Sequence, residues 1–316
     1  MPLRVAFFGT PGFAVPTLEH LVNSRHPVVA AVTQPDKPRG RGQQISDGPV
    51  KGLARALGLP VLQPARLARD EFETEFAALN ADIGVVAAYG KILPDWLLAS
   101  PRHGLINVHA SLLPRYRGAS PVHRAVINGD TETGVTIMRV VKELDAGAMI
   151  ASVRVPIGID DTTTIVESTL AIRGAELLVS TLDAIEAGTA RDTPQDPALV
   201  TYAPKLTKGE GLVDWSANST TIHNLVRGLW PWPHAFTYLG AMRYILHRSR
   251  LSTRPAANAS PGTIVHATPL EGLHVACGHG TTIELVDIQL EGKRIMSARD
   301  AMAAKTLVAG ARFSQP

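Results

Sequence analysis

Arg4-Val5-Ala6-Phe7-Phe8 runs directly into Gly9-Thr10-Pro11-Gly12-Phe13, an apolar segment delivered into a glycine-containing turn. A continuous apolar run of this length fits a strand buried on both faces, and residues 17–22 beyond the turn carry a helical pattern. The pairing repeats along the first half. Residues 28–33, 61–62, 83–88, 105–109 and 135–140 read as strands, and residues 50–57, 71–79 and 121–127 between them read as helices. Strands alternating with amphipathic helices predict an α/β fold built on a doubly wound, mostly parallel sheet. Residues 162–187 add one long helix, opened by the capping run Asp160-Asp161-Thr162-Thr163 and closed by Gly188.

After this helix the pattern changes. Residues 189–208 are polar and contain Asp192-Thr193-Pro194-Gln195-Asp196-Pro197, with no sustained apolar period, which reads as a linker. Beyond a short helix at residues 221–229, strand patterns at 244–247, 262–265, 273–276 and 282–288 are separated by Gly, Pro and Asn, the spacing of a small OB-like β-barrel. The expected division is a Rossmann-like catalytic domain over 1–188, a linker over 189–206 and a C-terminal OB-like domain over 207–316.

Composition narrows the function. The chain is 45% hydrophobic over 316 residues, enough for one large core or two moderate ones, and no apolar run approaches the roughly 20 residues of a membrane helix. The first residues enter a strand pattern without signal or transit features, so a cytoplasmic location with no membrane association is expected. One cysteine, Cys277, excludes an internal disulfide and a thiolate zinc site, and it reads as a small buried hydrophobe. Residues 207–316 hold eleven basic and seven acidic side chains, a surplus of four, whereas residues 1–206 hold twenty and twenty-one. The positive excess of the C-terminal part points mildly to a polyanion.

The Gly9–Phe13 turn lacks the G-x-G-x-x-G spacing, and Val32-Thr33-Gln34 offers no acid for a ribose. NAD is therefore not expected, and the turn reads as a tight strand-to-helix connection. Asn107-Val108-His109 carries more chemistry. Alternate residues of a strand share a face, so an amide and an imidazole stand side by side near the strand's carboxyl end, where open α/β sheets place ligands. Leu144-Asp145-Ala146-Gly147 is a turn that could bring a carboxylate against that imidazole. Asn, His and Asp together supply a neutral donor, a proton carrier and a partner that holds the ring, which suits acyl transfer to an amine that attacks without an enzyme nucleophile. The remaining histidines show no metal-ligand spacing, and no metal is expected.

Asn107-Val108-His109-Ala110-Ser111-Leu112-Leu113-Pro114-Arg115-Tyr116-Arg117-Gly118 resembles the core signature of the folate-dependent formyltransferases. Nearly the whole chain is similar to members of that family acting on methionyl-tRNA, through Phe8-Gly9-Thr10-Pro11, Thr33-Gln34-Pro35-Asp36, Gly40-Arg41-Gly42, Ala88-Tyr89-Gly90, Gly134-Val135-Thr136-Ile137-Met138, Asp145-Ala146-Gly147, Thr201-Tyr202-Ala203 and Pro231-Trp232-Pro233. The resemblance implies formyl transfer from 10-formyltetrahydrofolate to the α-amine of methionine on initiator tRNA. It implies that Asn107 and His109 stabilise an oxyanion, that Asp145 orients His109 and supports its charge, and that Ser111, Leu112, Leu113 and Pro114 bind the folate. Ala88, Tyr89, Gly90, Lys91 and Ile92, with the turn at 142–145, would complete the pterin pocket. Lys142-Glu143 is more charged than the family's usual pair at this turn.

The resemblance also directs the basic run Pro35-Asp36-Lys37-Pro38-Arg39-Gly40-Arg41-Gly42 to the tRNA acceptor stem, with Lys37, Arg39 and Arg41 as contacts. Arg227, Arg243, Arg248, Arg250, Lys293 and Arg294 in the C-terminal part would meet phosphates elsewhere. Trp230-Pro231-Trp232-Pro233 reads as a rigid turn rather than a base-stacking platform. A monomer is expected. The rival readings are a 10-formyltetrahydrofolate hydrolase, an amino-sugar-nucleotide formyltransferase and, from another class, a noncatalytic tRNA-binding protein.

Overall fold

The computed structural model describes the chain except residues 37, 40–43, 257, 304–305 and 315–316, with backbone alone at 38–39 and 44–45. In chain order the first elements are β1 (Val5–Gly9), α1 (Val15–Val22), β2 (Val28–Val32), β3 (Pro38–Arg39), β4 (Gln44–Ile45), α2 (Pro49–Ala56), β5 (Val61–Leu62), α3 (Arg69–Ala78), β6 (Ile83–Ala87), α4 (Asp95–Ala99), β7 (Leu105–His109), α5 (Pro121–Ile127), β8 (Glu132–Arg139), β9 (Met149–Pro156) and α6 (Thr163–Glu186). Two compact units result: residues 1–118, 133–155 and 167–203 form the first, and 119–132, 156–166 and 204–316 the second.

The first unit is a Rossmann-like α/β layer structure around a seven-stranded sheet of order β5-β2-β1-β6-β7-β8-β9. The pairs from β5 through β7 are parallel, and β8 runs antiparallel to β7, with Asn107 opposite Met138 and His109 opposite Thr136. Every residue of β1 and β6 is buried, as continuous apolar runs in a sheet covered on both faces require. Pro16, Pro49 and Pro121 stand in the first turns of α1, α2 and α5, where a missing N–H costs nothing. Phe8, Phe72, Phe76, Tyr89 and Leu97 form a core on one side of the sheet, with Trp96 packed on it. Each such large side chain contributes about 1.5–3 kcal/mol by leaving water. The strand order reverses direction at β1, which has β2 on one side and β6 on the other. The carboxyl ends of β1, β6 and β7 therefore border the crevice where this architecture accepts ligands.

The expected strands and helices of this half are present within a few residues. The sheet also gains β9, and the basic run after β2 holds an antiparallel pair, Pro38 with Ile45 and Arg39 with Gln44. Lys37 and Arg41 lie outside the described residues, as does the Arg39 side chain.

The second unit contains α7 (Ser219–Gly228), β10 (Ala235–Leu239), β11 (Met242–Ser252), β12 (Ile264–Thr268), β13 (Gly272–Ala276), β14 (Thr282–Leu290), β15 (Met296–Ser297) and α8 (Ala298–Met302). Its antiparallel sheet has order β10-β11-β14-β13-β12, with β15 on β14. Residues 310–314 then join the two outer strands. Ser314 exchanges backbone hydrogen bonds with Tyr238 of β10, Ala311 accepts from Ile264 of β12, and Phe313 donates to Gly262. This closes the sheet into a barrel, covering β10 at Tyr238 and β12 at Ile264. Trp215, Phe313 and Tyr244 fill it, with the Trp215 and Phe313 rings stacked at 5.6 Å.

Segments 119–132 and 156–166 pack in this second unit for a local reason. α5 lies against α7, Arg124 bonds the Pro204 carbonyl and Glu210, and α7 grips residues 158–161 through Arg227 and His223.

Candidate active site

β7 carries Asn107 and His109 on one face, while Ile106 and Val108 point into the core from the other. The Asn107 side chain is half-buried, and its carboxamide has no hydrogen-bond partner among the described residues. His109 is 5% exposed. Its Nε2 lies 3.0 Å from the Tyr116 carbonyl; a carbonyl only accepts, so Nε2 carries a proton. Its Nδ1 faces Asp145 Oδ2 at 3.7 Å, an ion-pair separation longer than a hydrogen bond.

The loop after β7 is braced from within. Ser111 is fully buried, its hydroxyl donates to the Arg115 carbonyl at 2.6 Å, and its own carbonyl accepts from Thr136 Oγ1 at 2.7 Å. Thr136 Oγ1 in turn accepts from the Leu113 N–H at 3.1 Å. Thr136 stands opposite His109 on β8, so the strand pair holds the loop that follows the histidine. The Tyr116 N–H donates to Thr201 Oγ1 at 2.9 Å, and Arg117 pairs through its backbone with Thr201 and Ala203. Gly118 has φ near +120°, and a Cβ there would stand 2.8 Å from the Ala203 carbonyl oxygen, so only glycine fits.

Asp145 reaches the site from the connection between β8 and β9. Its backbone is left-handed at φ 48°, and its Oδ2 accepts from the Gly118 N–H at 2.9 Å. Ala88, directly after β6, and Tyr116 are also left-handed, at 47° and 61°. Strained non-glycine backbone of this kind gathers at functional sites, and here it borders the carboxyl ends of β6 and β7.

The residues expected to meet folate divide by accessibility. Ala88 and Gly90 are exposed, Ile92 is 91% exposed, and Leu112 is half-buried, whereas Ser111, Leu113 and Pro114 are buried. The Tyr89 ring lies in the aromatic core, edge-on to Phe8, and burial pushes its phenol up to about 12. Lys91 Nζ donates to the Pro64 and Ala65 carbonyls. At 89 and 91 the side chains are thus committed to the fold, and the Tyr89 carbonyl accepts from Gln34 Nε2 at 2.7 Å, which leaves the exposed backbone of Ala88 and Gly90 beside them. Lys142 extends toward Asp95 at 3.4 Å, and Leu144 is 65% exposed. Exposed apolar side chains beside exposed backbone at Ala88 and Gly90 suit a flat heterocycle with polar rims.

In the second unit Arg227 is 5% exposed and donates to the Gly158 and Asp161 carbonyls, with Nε bonded to Asn224. It holds a turn together and is not presented to a phosphate. Arg243 stacks on Phe236 and pairs with Glu291, and Arg248 pairs with Asp287. Arg250, Lys293 and Arg294 are exposed and without an ion-pair partner among the described residues. The one metal-like grouping among the described residues, His26 with Asp183 and Glu186, is already occupied by the Leu3 N–H, Arg25 and the Met1 amine. Among the described residues no helix is long and apolar enough to cross a membrane.

The sequence matches include Thr136 and Tyr116 but assign no role to Thr136, the Tyr116 carbonyl or Gln195. The Gln195 Nε2 donates to the carbonyls of Asp145 and Gly147, and its Oε1 accepts from Arg117. The Thr201-Tyr202-Ala203 match was the only nearby signal that residues after α6 return to this site.

Residues 3–182 match the formyl transferase family, and residues 205–306 match the formyl transferase C-terminal domain. The chain is 47% identical over 312 residues to a methionyl-tRNA formyltransferase of Methylococcus capsulatus, covering 98% of this chain and 99% of that one. It is 44% identical over 311 residues to the protein of the same name from Geobacter metallireducens, covering 98% of each. Among solved structures, an N-formyltransferase from Helicobacter canadensis, in complex with folinic acid and dTDP-3-aminofucose, superposes with TM-score 0.68 at 18% identity over 90% of this chain and 98% of that one. A sugar 3N-formyl transferase gives TM-score 0.68 at 15% identity over 93% and 100%. At such identities these two likenesses bear on the fold alone.

Proposed function

The chain belongs to the formyl transferase family, and we propose that it transfers a formyl group from 10-formyltetrahydrofolate to the α-amine of methionyl initiator tRNA, yielding N-formylmethionyl-tRNA for translation initiation. The observation that carries this reading is His109 set between the Asp145 carboxylate and the Tyr116 carbonyl, with Asn107 beside it on the same strand face. That arrangement offers hydrogen-bond donors and a charge partner without an activated nucleophile, which is what direct attack by an amine requires.

In this reading the folate supplies an activated formyl group. The Asn107 amide donates to the carbonyl oxygen as it gains charge. His109 donates beside it once Nε2 leaves the Tyr116 carbonyl, and Asp145 stabilises the protonated ring. The attacking amine loses one proton as the new C–N bond forms, and the departing nitrogen gains one as its bond to the formyl carbon breaks; His109, directly or through a water, donates to the departing nitrogen and is reprotonated by the amine's proton. A donor of this kind contributes about 10²–10³ in rate. The exposed backbone at Ala88 and Gly90, with Leu112, Ile92 and Leu144, forms the folate-facing wall.

Residues 1–188 serve as the catalytic domain and 207–316 as the tRNA-binding domain, with Lys37, Arg39 and Arg41 reaching the acceptor stem. The protein works as a monomer in the cytoplasm. Incubation with 10-formyltetrahydrofolate and, in parallel, methionyl initiator tRNA, methionyl elongator tRNA, an amino sugar nucleotide or water tests the whole reading. Formyl product on initiator tRNA is expected. Faster turnover with the amino sugar nucleotide, or hydrolysis unaffected by tRNA, would replace it with one of the rival reactions.

A further inference from the structure

Gln195 lies in a stretch whose composition reads as linker, yet it is 9% exposed and uses its whole carboxamide. The two N–H groups meet the carbonyls of Asp145 and Gly147, each at 2.8 Å. The oxygen accepts from Arg117 Nε at 3.0 Å and from a terminal guanidinium nitrogen of Arg117 at 2.8 Å. Donors and acceptors are thereby matched without remainder, which also fixes which end of the amide is nitrogen.

These bonds close a circuit. From the Asp145 carbonyl it passes through Gln195 to the Arg117 side chain, along the peptide to Gly118, and back from the Gly118 N–H to Asp145 Oδ2. The aspartate is held at its backbone and its carboxylate by one assembly, in a left-handed conformation at φ 48° that its own preferences disfavour. Gly147 is equally constrained, since a Cβ there would lie 1.9 Å from the Arg139 carbonyl oxygen. We propose that Gln195 is a positioning residue for the formyl-transfer reaction, fixing the Asp145 carboxylate against His109 by tying the 145–147 turn to Arg117. The inference rests on the reading of His109 and Asp145 as catalytic.

Displacement of a catalytic group by about 1 Å can cost on the order of 10²-fold in rate. Gln195→Ala is therefore expected to lower kcat by about 10- to 100-fold while KM for both substrates stays within about threefold, and to move the pH profile of kcat. Gln195→Met keeps the volume, guards against a packing defect, and should give the same loss with a near-native melting temperature. The deciding measurement is a cycle with Asp145→Asn. If Gln195 acts through Asp145, the double variant turns over no more slowly than Asp145→Asn alone. Equal losses in both backgrounds, or full kcat and an unchanged pH profile in Gln195→Met, overturn the inference while leaving the catalytic reading intact. Wild-type turnover in Asp145→Asn removes the catalytic reading itself, and this inference with it.

Discussion

His109 donates from Nε2 to the backbone carbonyl of Tyr116 at 3.0 Å, so the ring nitrogen that the proposed reaction would use is engaged by the loop that follows β7. The opposite nitrogen looks toward Asp145 at 3.7 Å. Both neighbours are acceptors, one at hydrogen-bond distance and one at ion-pair distance.

Asn107→Ala, His109→Ala and Asp145→Ala are each expected to lower formylation by at least ~10²-fold with the fold retained. Residues that act as one unit lose less in combination than the product of their single effects. Single-turnover assays of the three variants and their pairs give the comparison. Full turnover in one variant excludes that residue, and full multiplicativity excludes a shared unit.

The β7 side of this picture was legible in the sequence because Leu105–His109 is an apolar strand interrupted at alternate positions by two polar residues, which a strand serving only as core seldom carries. β1 and β6 were legible for a similar reason, being apolar throughout. β9 was not, since Met149–Pro156 is half-exposed and carries Arg154 and Pro156 near its end. Gln195 was hidden because a buried glutamine surrounded by Asp, Thr and Pro has the composition of a solvated connection. Only its partners, distant in the chain, distinguish the two.

Acid should destabilise the second unit through His234 and His247. The two rings are 4.7 Å apart with Trp230 against both, and each Nδ1 is buried without a partner. Burial, and for His234 the neighbouring His247, holds them below the usual histidine value, whereas Gln289 and Asp287 partly oppose this at His247. The unfolded chain therefore binds protons near pH 6.5 that the folded one refuses. Stability is complete above that pH and falls as pH drops toward the folded values. Melting temperatures from pH 8 to 5 should decline, and His234→Phe should flatten the decline. An equal slope in the variant would assign the acid sensitivity elsewhere.

Closure of the barrel predicts a large effect from one side chain near its last paired segment. Phe313 is 1% exposed and stacks on Trp215. Phe313→Ala should cost about 3–5 kcal/mol of stability, as truncations of buried aromatics do. Urea unfolding followed by tryptophan fluorescence measures this, and a loss under about 1 kcal/mol would mean that the segment contributes little to the closed barrel.

Salt dependence should separate the arginines that look alike in sequence. Replacing Lys293 and Arg294 by alanine is expected to weaken tRNA binding and shallow the slope of log affinity against log salt, by a little under one for each phosphate no longer neutralised. Arg227→Ala should instead lower the melting temperature, because it leaves the Gly158 and Asp161 carbonyls without their donor. An unchanged slope in the first variant would show those two cations to be merely solvated.

The joining of residues 310–314 to both outer strands also bears on how this unit is assembled in time. Thr237 and Ser314, which meet in the closed barrel, are 77 residues apart. The hairpins between β10 and β11 and between β12 and β13 are local and can form quickly, but neither supplies the closing contact. Until the distant segment arrives, β10 and β12 present unpaired backbone that another chain could extend. Refolding should therefore be limited by a long-range search and should lose yield as protein concentration rises, with intermolecular strand addition competing for the same two edges.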